Sequence, residues 1–230
     1  MASLHSNQCC VWDTYKYTLY TKFREPWLYR FAAKGDWDLI PNRCKKHPKE
    51  ANFVHKYAPK DTPLNRLLRT DSCSQCSEDM RQNIFEMKHK AVAALLDVNV
   101  NAALYQDSFQ RTPLHWACID AVGNHGDLDD SIMFMLIEKA PQAVHMTDME
   151  KRTPLHYLVA RNDEVPLKVL AKLVAICPEA LNMKDEVGDT PLAIIKSRRE
   201  ELHNVDDLLR TLMKLESLLT PSTDRVLCTV

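Results

Sequence analysis

Glycine is the scarcest structural residue in this chain, with 4 in 230 residues. Neither a Gly-x-Gly-x-x-Gly nor a Gly-x-x-x-x-Gly-Lys string occurs, so a phosphate-cradling loop is excluded. An excess of one charge is missing too. Lys and Arg total 30 against 31 Asp and Glu, a formal net charge of −1. Nucleic acid and anionic membranes both reward surplus cations, so neither is expected as a generic partner. Long apolar runs are absent, and none approaches the ~20 residues of a membrane span. The opening residues Met1-Ala2-Ser3-Leu4-His5-Ser6-Asn7-Gln8 lack the apolar core of a secretory leader. With 45% hydrophobic and 27% charged residues the chain reads as an ordinary folded, soluble protein. Its 8 cysteines are then expected to be reduced and mostly buried, in the cytoplasm or nucleus, as for Cys118 and Cys177 inside amphipathic patterns.

What the chain does have is a repeated string. Arg111-Thr112-Pro113-Leu114-His115-Trp116-Ala117-Cys118 returns as Arg152-Thr153-Pro154-Leu155-His156-Tyr157. It recurs more weakly as Asp61-Thr62-Pro63-Leu64-Asn65 and Asp189-Thr190-Pro191-Leu192-Ala193. Each residue suits a helix start. Thr offers its hydroxyl to an orphan amide of the first turn. Pro at the first helical position forfeits an N–H that would be unused anyway. Leu is the first side chain aimed at a core, and His in the first turn is within reach of the Thr.

A second ruler is independent of the first. His47-Pro48-Lys49-Glu50-Ala51, Ala140-Pro141-Gln142-Ala143 and Cys177-Pro178-Glu179-Ala180 each close a helical stretch, since Pro after a helix end is a stop signal. Leu28 stands for the triplet leucine in a degenerate first copy, with Gly35 ending its helix. The positions Leu28, Leu64, Leu114, Leu155 and Leu192 are then spaced by 36, 50, 41 and 37 residues.

The Thr-Pro-Leu-His string resembles the helix-start signature of ankyrin repeats, whose period is about 33 residues. That resemblance covers residues 27–219 and implies an all-α ankyrin-repeat solenoid of about five helix-turn-helix units with hairpin connections and helical end caps. The units fall near 27–61, 62–111, 112–152, 153–189 and 190–219. An insertion at 70–82 lies in the second, and a shorter loop, 122–127, in the third. Residues 1–26, rich in aromatics, are expected to cap the first unit. An amphipathic helix from Leu202 to Leu219 closes the last, and 220–230 form a tail.

This sequence departs from the family's pattern at Asn65 and Leu67 in the second unit, at Ala193 in the fifth, and at the hairpin tips. The glycine expected two residues before each Thr-Pro-Leu survives only as Gly188, and Lys60, Gln110 and Lys151 replace it elsewhere. Those tips must carry backbone strain of about 1 kcal/mol where φ is positive, or use another turn.

No nucleophile–base arrangement or paired carboxylate emerges, so the resemblance implies a non-enzymatic scaffold or adaptor without cofactors, monomeric, binding a protein and no small-molecule substrate. The family's mode of binding implies contacts from hairpin tips and first helices: Tyr57, Lys60, Phe109, Arg111, Met149, Lys151, Arg152 and Glu186. Two alternatives stay open. Cys73-x-x-Cys76, with His89 as a third donor, has half the spacing of a zinc site and would make a zinc- or redox-regulated module. The inserted loop and aromatic N-terminus could instead serve a regulatory or inhibitory subunit of an enzyme. The basic run Arg43-Cys44-Lys45-Lys46 is read as complementing a helix C-terminus.

Overall fold

The computed structural model describes residues 25–56, 59–70, 77–120, 127–161 and 164–219. Among these there are ten α-helices and no strand. Contacts divide the chain into two units, Met1–Ser108 and Phe109–Val230.

In the first unit, α1 (Trp27–Lys34) lacks a Thr cap. A carboxylate from further along substitutes: the Leu28 N–H donates to Glu50 Oε2 at 3.0 Å, and Arg43 Nε donates to the same oxygen at 3.2 Å. Burial pushes the Glu50 carboxyl up, but the Arg43 guanidinium and the Leu28 amide outweigh it and hold it below its usual range. Gly35 ends α1 in the left-handed region, at φ 80°. A 3₁₀ turn, Trp37–Leu39, leads into α2 (Ile40–Lys46), whose last turn carries Arg43, Lys45 and Lys46, where cations oppose the helix dipole. Next come α3 (Pro63–Leu68) and α4 (Glu78–Val98). Residues 78–82, expected within the insertion, are thus the first turn of α4. First helices α1 and α3 pack together, as do second helices α2 and α4. Leu28, Ala32, Leu64 and Leu67 are buried on the first pair, and Ile40, Cys44, Ala91 and Leu95 on the second.

The second unit repeats the plan. Its first helices are α5 (Pro113–Asp120), α7 (Pro154–Arg161) and α9 (Pro191–Ser197), and its second helices α6 (Asp127–Lys139), α8 (Leu167–Ile176) and α10 (Val205–Leu219). α7 packs between α5 and α9, and α8 between α6 and α10. Leu114 and Leu155 are fully buried, worth about 1.5–3 kcal/mol each. Leu192, in the fourth Thr-Pro-Leu copy, is half-buried. Polar bonds tie this part of the chain down: Arg198 Nη1 donates to the Val159 carbonyl at 2.8 Å, and Asn204 Nδ2 to that of Val165 at 2.8 Å.

Each second helix that leads into a hairpin stops in the same way. His47, Asn99, Ala140 and Cys177 have φ between −134° and −145° and ψ between 62° and 86°. Each donates its N–H four residues back, to Arg43, Leu95, Leu136 and Leu173. A 3₁₀ turn follows at Pro48–Asn52, Val100–Leu104, Pro141–His145 and Pro178–Asn182. The second has Val in place of Pro, so the geometry does not require the ring.

All four Thr-Pro-Leu triplets begin a helix at their proline. Thr62 and Thr190 accept the amides of Asn65 and Ala193 at 3.2 and 3.1 Å. In the two strong copies the histidine does more. His115 Nδ1 accepts the Thr112 N–H at 3.1 Å and faces the Thr112 hydroxyl at 2.8 Å. An Nδ1 that accepts a backbone amide carries no proton, so Nε2 does, and it donates to the Arg152 carbonyl at 3.0 Å. His156 repeats this with Thr153 at 3.0 Å and the Asp189 carbonyl at 3.4 Å. Both rings are buried and neutral, and each bridges to the hairpin that follows its own helix pair. In the first unit Asn65 takes this place and donates Nδ2 to the Tyr105 carbonyl at 3.3 Å.

The missing glycines leave their mark. Lys60, Gln110 and Lys151 have φ of 54°, 58° and 58°, in the same region as Gly188 at 101°. The turn is retained and the side chain accepts the strain. Lys151→Gly is therefore expected to raise stability by about 1 kcal/mol, left-handed strain exceeding glycine's entropic cost; urea unfolding would show it as a higher midpoint at unchanged slope.

Burial pushes the His115 imidazole down to about 4, and His156 in the same direction. Both are near 6.5 when unfolded. Between those limits the unfolded chain binds more protons, so the stabilisation is complete above about pH 6.5 and is lost as pH falls toward about 4. Unfolding titrations from pH 7 to 4.5 should show this slope, and His115→Asn, borrowing the first unit's residue, should flatten it.

Candidate functional site: the hairpin row

The hairpins that precede the triplets are organised by a carboxylate five residues before Thr. Asp148 Oδ1 accepts the amides of Glu150 and Arg152, both at 2.9 Å. Asp185 Oδ1 accepts those of Val187, Gly188 and Asp189 at 3.1, 3.0 and 2.9 Å. The short Asp side chain thus mimics a backbone turn and gathers the loop around itself. Burial pushes both carboxyls up; the hydrogen bonds that each accepts prevail and hold them below the usual range.

The other oxygen of each carboxylate faces the preceding hairpin. Arg111 Nε donates to Asp148 Oδ2 at 3.4 Å and Arg152 Nε to Asp185 Oδ2 at 3.2 Å. Tyr157 completes the first link, donating its hydroxyl to Asp148 Oδ2 at 2.6 Å while accepting Arg111 Nη2 at 2.8 Å. Burial first, and then that bond to Asp148, push the phenol up. The Arg111 guanidinium also lies 5.1 Å from the Trp116 and Tyr157 ring centres and 5.4 Å from that of Phe109. Glu150 pairs with Arg152.

Backbone bonds join the tips as well. The Met149 N–H donates to the Phe109 carbonyl at 3.0 Å and the Glu186 N–H to the Glu150 carbonyl at 2.9 Å. Phe109, Met149 and Val187 are left projecting from three successive tips, with 46%, 58% and 78% of their surface exposed.

The first unit has its own variant. Its Ser108 N–H donates to the Pro59 carbonyl at 2.7 Å, the same register as the later tips. Here the hairpin is longer, His55 closing it by donating its N–H to the Asp61 carbonyl at 3.0 Å. The buried carboxylate comes from Asp61, directly before the Thr, and accepts the Tyr29 hydroxyl at 2.5 Å and Arg69 Nη1 at 3.1 Å. His55 stacks on Tyr29 with ring centres 5.2 Å apart.

Of the expected contact residues, Phe109, Arg111, Met149, Lys151, Arg152 and Glu186 come together on adjoining hairpins of the second unit. Lys60 is at an exposed tip of the first unit. Tyr57 lies outside the described residues. Arg111 and Arg152 are half-buried and committed to the carboxylate links. Sequence reasoning missed Val187, Tyr157 and the carboxylates, although Asp107, Asp148 and Asp185 each stand five residues before a Thr-Pro-Leu. Cys73 and Cys76 lie outside the described residues; His89 sits 6.0 Å from the Phe85 ring. Cys44, Cys118 and Cys177 are buried free thiols, and burial pushes Cys44 up to about 11, the reverse of an activated nucleophile.

No family model matches the sequence, and no curated protein matches it. A solved structure with similarity to the chain is the crystal structure of EF0377, an ankyrin repeat protein. It is 14% identical, with 81% of this chain and 96% of that one covered at a TM-score of 0.38.

The links are expected to bear load while the tips do not. Tyr157→Phe should cost about 1.5 kcal/mol, a hydrogen bond to a charged group, whereas Met149→Ala should stay within about 0.5 kcal/mol; parallel denaturant titrations compare them.

Proposed function

We propose that the chain is a non-enzymatic recognition module whose partner is a protein, bound through the hairpin row. The observation that carries this reading is the run of exposed apolar side chains, Phe109, Met149 and Val187, on three consecutive tips. Their backbone is held by hydrogen bonds and ion pairs beneath. Exposed apolar side chains gathered at one place are costly in water and mark interaction surfaces. A surface set before binding lowers the ordering cost of association. Lys151 and Glu186 rim the row with one charge of each sign, in keeping with a partner that offers apolar side chains at its centre.

The assignment as scaffold or adaptor, the monomeric state and the cytoplasmic or nuclear setting belong to this same reading. It is supported also by the buried, structural use of both motif histidines and by the absence, among the described helices, of one long and apolar enough to cross a membrane.

The test is affinity capture with full-length protein in three forms: wild type, Phe109→Glu/Met149→Glu/Val187→Glu, and a deletion of residues 70–77. A protein captured by wild type and by the deletion form, and lost in the triple variant whose unfolding is unchanged, supports the row. Loss only on deletion transfers recognition to the inserted loop, and capture unaffected by either change overturns the proposal.

A further inference from the structure

The turns that follow α6 and α8 bring three metal-ligating side chains together. His145 closes the Pro141–His145 turn, Cys177 is the residue at which the chain leaves α8, and Glu179 lies in the Pro178–Asn182 turn. One ring nitrogen, the thiol sulfur and one carboxylate oxygen all lie within 4.8 Å of one another. His145 Nδ1 is 3.7 Å from a Glu179 oxygen. Donors around a tetrahedral zinc ion, bonded at about 2.0–2.3 Å, are themselves about 3.5 Å apart. Closing the remaining gap needs side-chain rotation only. His145 and Glu179 are exposed and can supply it, while the buried Cys177 stays fixed by its turn.

The donor set is chemically selective. A thiolate and an imidazole favour a borderline-soft ion over magnesium or calcium, which want oxygen. Thiolate and carboxylate together carry two negative charges, which one divalent ion balances.

We propose that His145, Cys177 and Glu179 form a zinc(II) site, with water as the fourth ligand. On binding, the sulfur–hydrogen bond breaks, the proton passes to solvent and the sulfur lone pair bonds the metal; no oxidation state changes. The ion would join two consecutive turns within the second unit, acting as a clasp between neighbouring helix pairs. This site is distinct from the Cys73-x-x-Cys76 pair and from the hairpin row.

Cobalt(II) titration of the full chain tests it, in a Cys73→Ser/Cys76→Ser background that removes the competing pair. One cobalt per chain, with a thiolate-to-metal charge-transfer absorption and visible bands of tetrahedral intensity, is expected, and zinc should displace it. Cys177→Ser should abolish the charge-transfer band. Since that buried substitution can disturb folding, His145→Ala and Glu179→Gln, both at exposed positions, are the decisive variants. Each should weaken binding by at least about tenfold. Zinc should also raise the melting temperature of the background protein and not that of His145→Ala. Absence of the charge-transfer band at saturating cobalt overturns the site, as does a band whose titration is unchanged in His145→Ala.

Discussion

Cohesion within the second unit depends on an uncharged imidazole. His115 and His156 each accept a backbone amide at one nitrogen and donate to the backbone of the following hairpin at the other. Only the neutral ring with its proton on Nε2 can do both. A single side chain thereby sets the helix start in its own unit and the position of the following hairpin. Leucine burial supplies more of the driving force, but it is non-directional. The histidine decides which register that burial adopts.

The hairpins show where stability has been spent. Two of the non-glycine tips, Gln110 and Lys151, hold left-handed backbone within the second unit, and Lys60 does so in the first. Strain of that sort persists only when the surroundings over-determine it. Around Lys151 they do: Asp148 gathers the loop amides, while Arg111 and Tyr157 fix Asp148. The projecting side chains Phe109 and Met149 therefore stand on a backbone with little freedom, though they themselves are exposed.

Much of the fold was legible because helix-start chemistry is local. Thr, Pro and Leu act within one turn, so the starts at Pro63, Pro113, Pro154 and Pro191 could be read directly. The stop after α4 could not, because Val100 occupies a place that Pro marks elsewhere and the geometry rests on a backbone bond from Asn99 to Leu95. The site was less legible, since its bonds cross between hairpins. Position alone marks Arg111 and Arg152 as contacts, yet their carboxylates lie 37 and 33 residues ahead. The Asp five residues before three of the four triplets was the one available signal for those links. Val187 carries neither a charge nor a place in the repeated string, so nothing in the sequence marks it.

The backbone bonds between tips point one way. Met149 donates to Phe109, and Glu186 donates to Glu150, so each hairpin presents a backbone donor to the one before it and a backbone acceptor to the one after. An edge of this kind is not self-complementary. A twofold axis would set like groups against like along it, so two copies of the chain could add through it only head to tail. Directionality therefore distinguishes the two sides of every tip. The Val187 tip is followed along the chain by the charged residues 196–201 and the amphipathic helix α10.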